Sequence, residues 1–344
     1  MIRVLVVDDS EIAREALSVH LEDDGDLSVV GTATDGAAAI AAVAEHRPDV
    51  VTMDIQMPGG GGLVAIEQIM ARTPVPIIVV SARARHDQTL PFEAVSRGAL
   101  EVAVKPASPA DAAALRAAVR RVAGIPVIPH LRALRAARPL PPLLWPVSAQ
   151  PHATRVVGLA ASAGGPAALD VVLGALPSSL PACLAVVQHL PAHFVASFAT
   201  YLRSRTPLEV VLAEPGAPVE ARAGRLVLAA GDHHLIASSS RLLAASSEPP
   251  LRGHRPSATV LFSSLARVHG DRAIGVILTG IGDDGAAGLA EVRAMGGLTL
   301  GQDQKTSAVY GMPSAAVQLG AVARVLPLQE IAGAIRRAVE GGPR

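Results

Sequence analysis

The chain of 344 residues is 50% hydrophobic, only 17% charged and carries no net charge, so burial is not limiting and two domains are the natural expectation. That charge balance argues against a general nucleic-acid binder, which would carry a basic stripe, and the single cysteine, Cys183, rules out an intramolecular disulfide framework. Aromatics make up 2% of the chain, so the cores are built from Ala, Val, Leu and Ile, which suits helices packed closely on parallel sheets.

In chain order, the first 121 residues alternate strand-like and helix-like runs. IRVLVV, LSVVGTA, DVVTM, PIIVVS and ALEVAV read as strands; EIAREALSVHLED, DGAAAIAAVAEH, GLVAIEQIMAR, FEAVSRG and SPADAAALRAAVRRVAG have apolar residues at helical spacing. Five βα units predict a doubly wound, flavodoxin-like parallel sheet with functional residues at the carboxyl ends of its strands. Residues 122–153 hold seven prolines and three arginines with no acid, the composition of a semi-rigid linker. From Thr154 the alternation resumes: RVVGLA, CLAVVQ, LEVVLA, RLVLAA, AIGVILT and LTLGQ are strand candidates, with AALDVVLGAL, GAAGLAEVRAM and LQEIAGAIRRAVE as helices. This predicts a second α/β/α doubly wound, mainly parallel sheet, and GRLVLAAGDHHLIASSSRLLAAS within it reads as antiparallel hairpin structure. The expected division is therefore 1–121, 122–153 and 154–344. MIRVLVVDDS reaches two acids before any signal-peptide core could form, and prolines divide the one long uncharged stretch, 171–202. A cytoplasmic protein without membrane insertion is expected.

Asp8 and Asp9 end the first predicted strand, Asp54 the third, Ser81 the fourth and Lys105 the fifth. Three carboxylates brought to one sheet edge repel unless a cation neutralises them, and Mg²⁺ is the expected occupant. One carboxylate beside the metal can attack a phosphoryl donor. A lysine can then neutralise the new charge, and a small hydroxyl can follow it. The chain has only two lysines against 28 arginines, yet it places lysine before Pro106, where a compact point charge suits phosphate. The alternative is that these acids merely cap helices, as Asp9 or Ser10 could. The constellation, with M-P-G after Asp54 and K-P at Lys105, resembles the receiver domain of two-component response regulators over residues 1–121. The resemblance implies phosphorylation at Asp54 by a chemotaxis histidine kinase, Mg²⁺ held by Asp8, Asp9 and Asp54, and a phosphoryl-responsive role for Ser81 and Lys105. Two departures stand out: the run GGGG at 59–62 where an acid is usual, and Val102 where the family's aromatic switch falls.

Ser162, in GLAASAGGPAALDVVL, admits three readings. It can cap a helix, belong to a phosphate loop lacking the full G-x-G-x-x-G pattern, or act as a nucleophile with N–H donors near Gly164 and Gly165. The serine alone does not decide. CLAVVQHLPAHF places His189 just past a second strand, and AIGVILTGIGDDGAAGLAEV places Asp283 and Asp284 in a turn after a third. Serine, histidine and aspartate from three strand ends are how a nucleophile, a base and its orienter are assembled.

With A-S-A-G-G-P, V-Q-H-L-P, G-D-H-H, H-R-P-S, L-T-G-I-G-D-D-G-A-A-G and Y-G-M-P, the second half resembles the protein-glutamate methylesterases of bacterial chemotaxis (the CheB family). By motif position the resemblance assigns the nucleophile to Ser162, the histidine to His189 and the aspartate to Asp284, with oxyanion donors near Ala163, Gly164 and Gly165. It implies hydrolysis of glutamyl methyl esters on the cytoplasmic domains of methylated chemoreceptors, deamidation of their glutamines, and no cofactor in the esterase domain. Asp283, Ile281 and Ala163 depart from a common Asn, Met and Thr. The other histidines lack a metal-like partner set; His233 or His254 is expected to line the pocket, and Arg255 to hydrogen-bond near the triad. The order of parts and the opposite domain charges suggest that the unphosphorylated receiver covers the esterase mouth. A non-catalytic receptor-binding scaffold and a general serine esterase are the alternatives.

Overall fold

The computed structural model describes residues 1–57, 61–81, 89–127 and 154–341, and the chain divides into two compact units, Met1–Ala133 and Leu134–Arg344. Most of the expected linker, residues 128–153, lies outside the described residues, as do positions 59 and 60 of the GGGG run.

In the first unit, strands β1 (Ile2–Val7), β2 (Leu27–Ala33), β3 (Val50–Met53), β4 (Ile77–Ser81) and β5 (Glu101–Val104) form one sheet in the order β2-β1-β3-β4-β5. All its pairings are parallel. The aliphatic runs of β1, β3 and β4 are almost wholly buried because helices cover both faces. Helix α1 (Glu11–Glu22) starts where Ser10 accepts the Ala13 N–H at 3.3 Å. Helices α2 (Gly36–His46), α3 (Gly61–Arg72), α4 (Leu90–Ser96) and α5 (Pro109–Val122) follow the remaining strands. Ser108 caps α5, with Pro109 opening its first turn. Val102, at the departed switch position, is buried in β5.

In the second unit, a seven-stranded parallel sheet comprises β6 (Arg155–Ala161), β7 (Ala182–Gln188), β8 (Glu209–Ala213), β10 (Arg225–Ala229), β13 (Ile274–Ile277), β14 (Leu298–Gln302) and β15 (Arg324–Leu326), in the order β15-β14-β13-β6-β7-β10-β8. Strands β9 (Val219–Glu220), β11 (His234–Ser239) and β12 (Leu242–Ser246) make a small antiparallel sheet. This refines the expected hairpin: only 234–246 form it, while RLVLA pairs in parallel with β7 and β8. A strand buried among parallel neighbours and a hairpin strand share the same short apolar run, and sequence pattern does not separate them.

The strand order reverses between β6 and β13, so a crevice opens at their carboxyl ends. Helix α6 (Gly165–Gly174) leaves β6, and α9 (Ala286–Ala294) follows the turn after β13. The chain also forms α7 (Val195–Arg203), α8 (Ala258–His269), α10 (Met312–Gln318) and α11 (Leu328–Val339). Helix α8 lies close on the sheet because β6 carries glycine there: a Cβ on Gly158 would sit 2.6 Å from Leu265 and 3.1 Å from Phe262. Burying a side chain such as Phe262 contributes about 1.5–3 kcal/mol, and this packing brings the amino end of α8 to the crevice.

Candidate active site

In the first unit, Asp8, Asp9 and Asp54 have carboxylate oxygens within 4.8 Å of one another. Asp8 and Asp54 are buried and Asp9 is exposed. Asp8 Oδ1 accepts the Ser10 N–H at 3.0 Å and Asp54 Oδ1 the Gln56 N–H at 2.9 Å. Their other oxygens face Lys105, whose Nζ lies 2.5 Å from Asp8 Oδ2 and 2.7 Å from Asp54 Oδ2. Burial works against the charged lysine, but hydrogen bonds and charge from Asp54 and Asp8 outweigh it and hold its pKa above the ordinary value. Among the described residues this one ammonium pairs with Asp8 and Asp54, and a cluster of carboxylate oxygens, hard donors, suits Mg²⁺. Ser81 is buried at the end of β4, and its carbonyl accepts the Lys105 N–H at 2.8 Å.

In the second unit, Ala161 and Gln188 are register partners on β6 and β7, and the His189 N–H donates to the Ala161 carbonyl at 3.1 Å. Ser162 and His189 are therefore the next residues on adjoining strand ends, about 5 Å apart along the sheet. The Ser162 N–H donates to Thr279 C=O just beyond β13 at 3.0 Å. Its carbonyl accepts Gln188 Nε2 at 2.8 Å. The turn is thus tied to both neighbouring strands. Gly280 closes on the serine from the third side: a Cβ there would lie 2.8 Å from Ser162 Cβ and 2.2 Å from Met312 Sδ.

Asp284 and Asp283 separate sharply. Asp283 is exposed and pairs with Arg252 at 2.9 Å, whereas Asp284 is 7% exposed, and its Oδ2 lies 2.8 Å from His189 Nε2. Burial alone would raise the Asp284 pKa. The His189 hydrogen bond and charge, with donors from Ala258 and Ser257, instead hold it well below the ordinary carboxylate value. The ionised carboxylate only accepts, so His189 Nε2 donates this hydrogen bond, and in the neutral ring Nδ1 is then the nitrogen with the lone pair. The ring is used in the opposite sense to the serine proteases, where Nδ1 faces the aspartate. Among the described residues no hydrogen bond joins Ser162 Oγ to the ring. The His254 ring stacks on His189 at 4.4 Å with an 11° interplanar angle. A cleft of ≈ 760 Å³ opens alongside, lined by Leu251, His254, Asp284, Ala287, Ala315 and Leu319.

Two expectations change. Of the three oxyanion candidates, the Gly165 N–H is already used, donating to Ser162 C=O at 2.8 Å to close the turn. Among the described residues the N–H groups of Ala163 and Gly164 have no protein acceptor. Arg255 does not reach the triad: it pairs with Asp232 at 2.5 Å and donates to the Glu248 carbonyl. Sequence reasoning missed Ser257, Ala258 and Thr259, the donors around Asp284. The signal was present, since Ser257 precedes ATVLFSSLARVH with its helical apolar spacing. Cys183 is buried in β7, and burial pushes its thiol pKa up to about 12, the mark of an inert thiol.

Among the described residues no helix is long and apolar enough to cross a membrane. Residues 157–335 match the family model described as CheB methylesterase, and residues 4–120 match the response regulator receiver domain. The chain is 45% identical to a protein-glutamate methylesterase/protein-glutamine glutaminase 2 of Anaeromyxobacter dehalogenans, over 97% of this chain and 96% of that protein. It is 38% identical to a protein of the same name, without the numeral, from Symbiobacterium thermophilum, over 99% and 98%. The crystal structure of the Thermotoga maritima CheB methylesterase catalytic domain matches 53% of this chain and 97% of its own, at 32% identity and a TM-score of 0.51. With an acid–lysine cluster on one parallel sheet and a His–Asp pair beside a strand-end serine on another, this chain belongs to the CheB methylesterase family and carries a response regulator receiver domain.

Proposed function

We propose that this chain removes methyl esters from glutamyl residues of chemoreceptor cytoplasmic domains and deamidates their glutamines, with Ser162 as nucleophile, His189 as base and Asp284 as orienter. Residues 1–121 act as the receiver, 122–153 as the linker and 154–344 as the catalytic part. The observation that carries the reading is the 2.8 Å contact of His189 Nε2 with the buried Asp284, one strand end from Ser162.

His189 Nδ1 takes the proton from Ser162 Oγ as the oxygen attacks the ester carbonyl carbon. The N–H groups of Ala163 and Gly164, the free donors of the turn, hold the developing oxyanion. Collapse breaks the bond to the methoxy oxygen, which leaves as methanol with the proton from the imidazolium. Water then gives a proton to Nδ1 and attacks the acyl carbon; the imidazolium returns that proton to Ser162 Oγ as its bond to the acyl carbon breaks, leaving the glutamate carboxyl group, which ionises. With glutamine the leaving group is ammonia, and the remaining steps are unchanged. Asp284 holds the ring and stabilises its cation.

In the receiver, Asp54 accepts a phosphoryl group from a chemotaxis histidine kinase. Asp8, Asp9 and Asp54 would hold Mg²⁺, which when bound neutralises charge during that transfer. Lys105 pairs with the new phosphoryl oxygens and Ser81 follows them. Phosphorylation relieves an inhibition of the esterase by the receiver; an isolated 154–344 fragment no faster than the unphosphorylated chain would contradict that. The whole reading is tested with Ser162→Ala on methylated chemoreceptors. Demethylation is expected to vanish while receptor binding is retained. Retained demethylation would remove the serine from the chemistry.

A further inference from the structure

We propose that Ser257 and His234 are positioning residues that hold Asp284 against His189, a relay behind the reacting groups; the proposal rests on the triad reading above. Ser257 and His234 are both fully buried. Ser257 Oγ donates to Asp284 Oδ1 at 2.7 Å, the Thr259 N–H reaches the same oxygen at 3.0 Å, and the Ala258 N–H reaches Oδ2 at 2.7 Å. Thr259 Oγ1 also accepts the Gly285 N–H at 2.8 Å, which ties the turn bearing Asp284 to the same helix end.

One layer further in, the Ser257 N–H donates to His234 Nδ1 at 3.1 Å. Nδ1 must therefore carry the lone pair and Nε2 the proton, which points to the Pro249 carbonyl at 3.1 Å. Both ring nitrogens are used, so this imidazole works as a fixed neutral spacer between β11 and the start of α8. Outside this relay, the titratable groups beside Asp284 are His189, the stacked His254 and the rim pair Arg252–Asp283.

A helix cap needs only an acceptor, and Ser257 Oγ does accept the Val260 N–H, at a long 3.4 Å. The proton that Oγ donates to Asp284 is a separate property. Glycine caps nearly as well as serine but donates nothing, so Ser257→Gly isolates the donated proton. In the full-length protein, assayed by methanol release from a methylated chemoreceptor fragment, Ser257→Gly is expected to lower kcat about tenfold and leave KM within about twofold. The acid limb of kcat/KM should move to higher pH, because a carboxylate with one donor fewer holds the imidazolium proton more tightly. Ser257→Thr restores both. His234→Phe reproduces the Ser257→Gly phenotype, and His234→Asn, whose Oδ1 replaces the Nδ1 acceptor, relieves it. A folded Ser257→Gly protein with wild-type kcat and acid limb, while Asp284→Asn is inactive, overturns the relay alone. An active Asp284→Asn overturns the triad reading and the relay with it.

Discussion

His189 Nε2 lies 2.8 Å from Asp284 Oδ2, and this one contact determines which ring nitrogen is a base. Because the carboxylate can only accept, the proton sits on Nε2 and the lone pair on Nδ1. Nitrogen-resolved NMR of labelled protein should find a downfield proton on Nε2 of His189 and an unprotonated Nδ1 in the resting enzyme. A proton on Nδ1 instead would reverse the assignment and leave the lone pair on Nε2, the nitrogen that faces Asp284.

The same pair makes stability depend on acid. The folded pKa of Asp284 is depressed below its ordinary 3.8, so its contribution is fully present above that value and is lost as pH falls through the lower folded pKa. Denaturant unfolding should show wild type more stable than Asp284→Asn at neutral pH, with the gap narrowing only below pH 3.8. Turnover by Asp284→Asn should drop about 10³–10⁴-fold. A stability gap that closes nearer pH 6 would mean another group carries the effect.

Gly280 leaves no room for a side chain between Met312 and Ser162. Gly280→Ala is expected to cost about 1–3 kcal/mol of stability through overpacking and to reduce kcat more than KM by displacing the serine. Met312→Ala in the same background should recover part of both losses by clearing the sulfur. Wild-type kinetics for Gly280→Ala would show that the serine turn tolerates movement.

In the receiver, incubation with acetyl phosphate and Mg²⁺ should label wild type but not Asp54→Asn. EDTA should abolish labelling, since among the described residues the cation paired with both Asp8 and Asp54 is Lys105. Labelling of Asp54→Asn at the wild-type level would move the phosphosite elsewhere.

Much of this architecture is readable in the residues because buried parallel strands are plain aliphatic runs. VVGLAA and CLAVVQ end in step, so Ser162 and His189 fall side by side as soon as β6 and β7 pair. What the pattern does not encode is non-local. Asp283 and Asp284 are indistinguishable in G-D-D-G; the α8 terminus separates them by supplying Asp284 with N–H donors and leaving Asp283 to Arg252. RLVLA reads as hairpin because turn residues follow it, yet its partners come from distant segments. His234 follows His233 with nothing in the sequence to separate the two, but His234 opens β11 fully buried, where the Ser257 N–H meets its ring.

The claim on which all of this turns is that Ser162 Oγ becomes acylated. Acid-quenching the full-length protein during turnover of a methylated chemoreceptor fragment, followed by digestion and mass spectrometry, tests it directly. A receptor glutamyl group esterified to the peptide containing Ser162 is expected, and it is expected to be absent from Ser162→Ala. Rapid demethylation with label incorporated from solvent water, but no Ser162 adduct at any quench time, would contradict it.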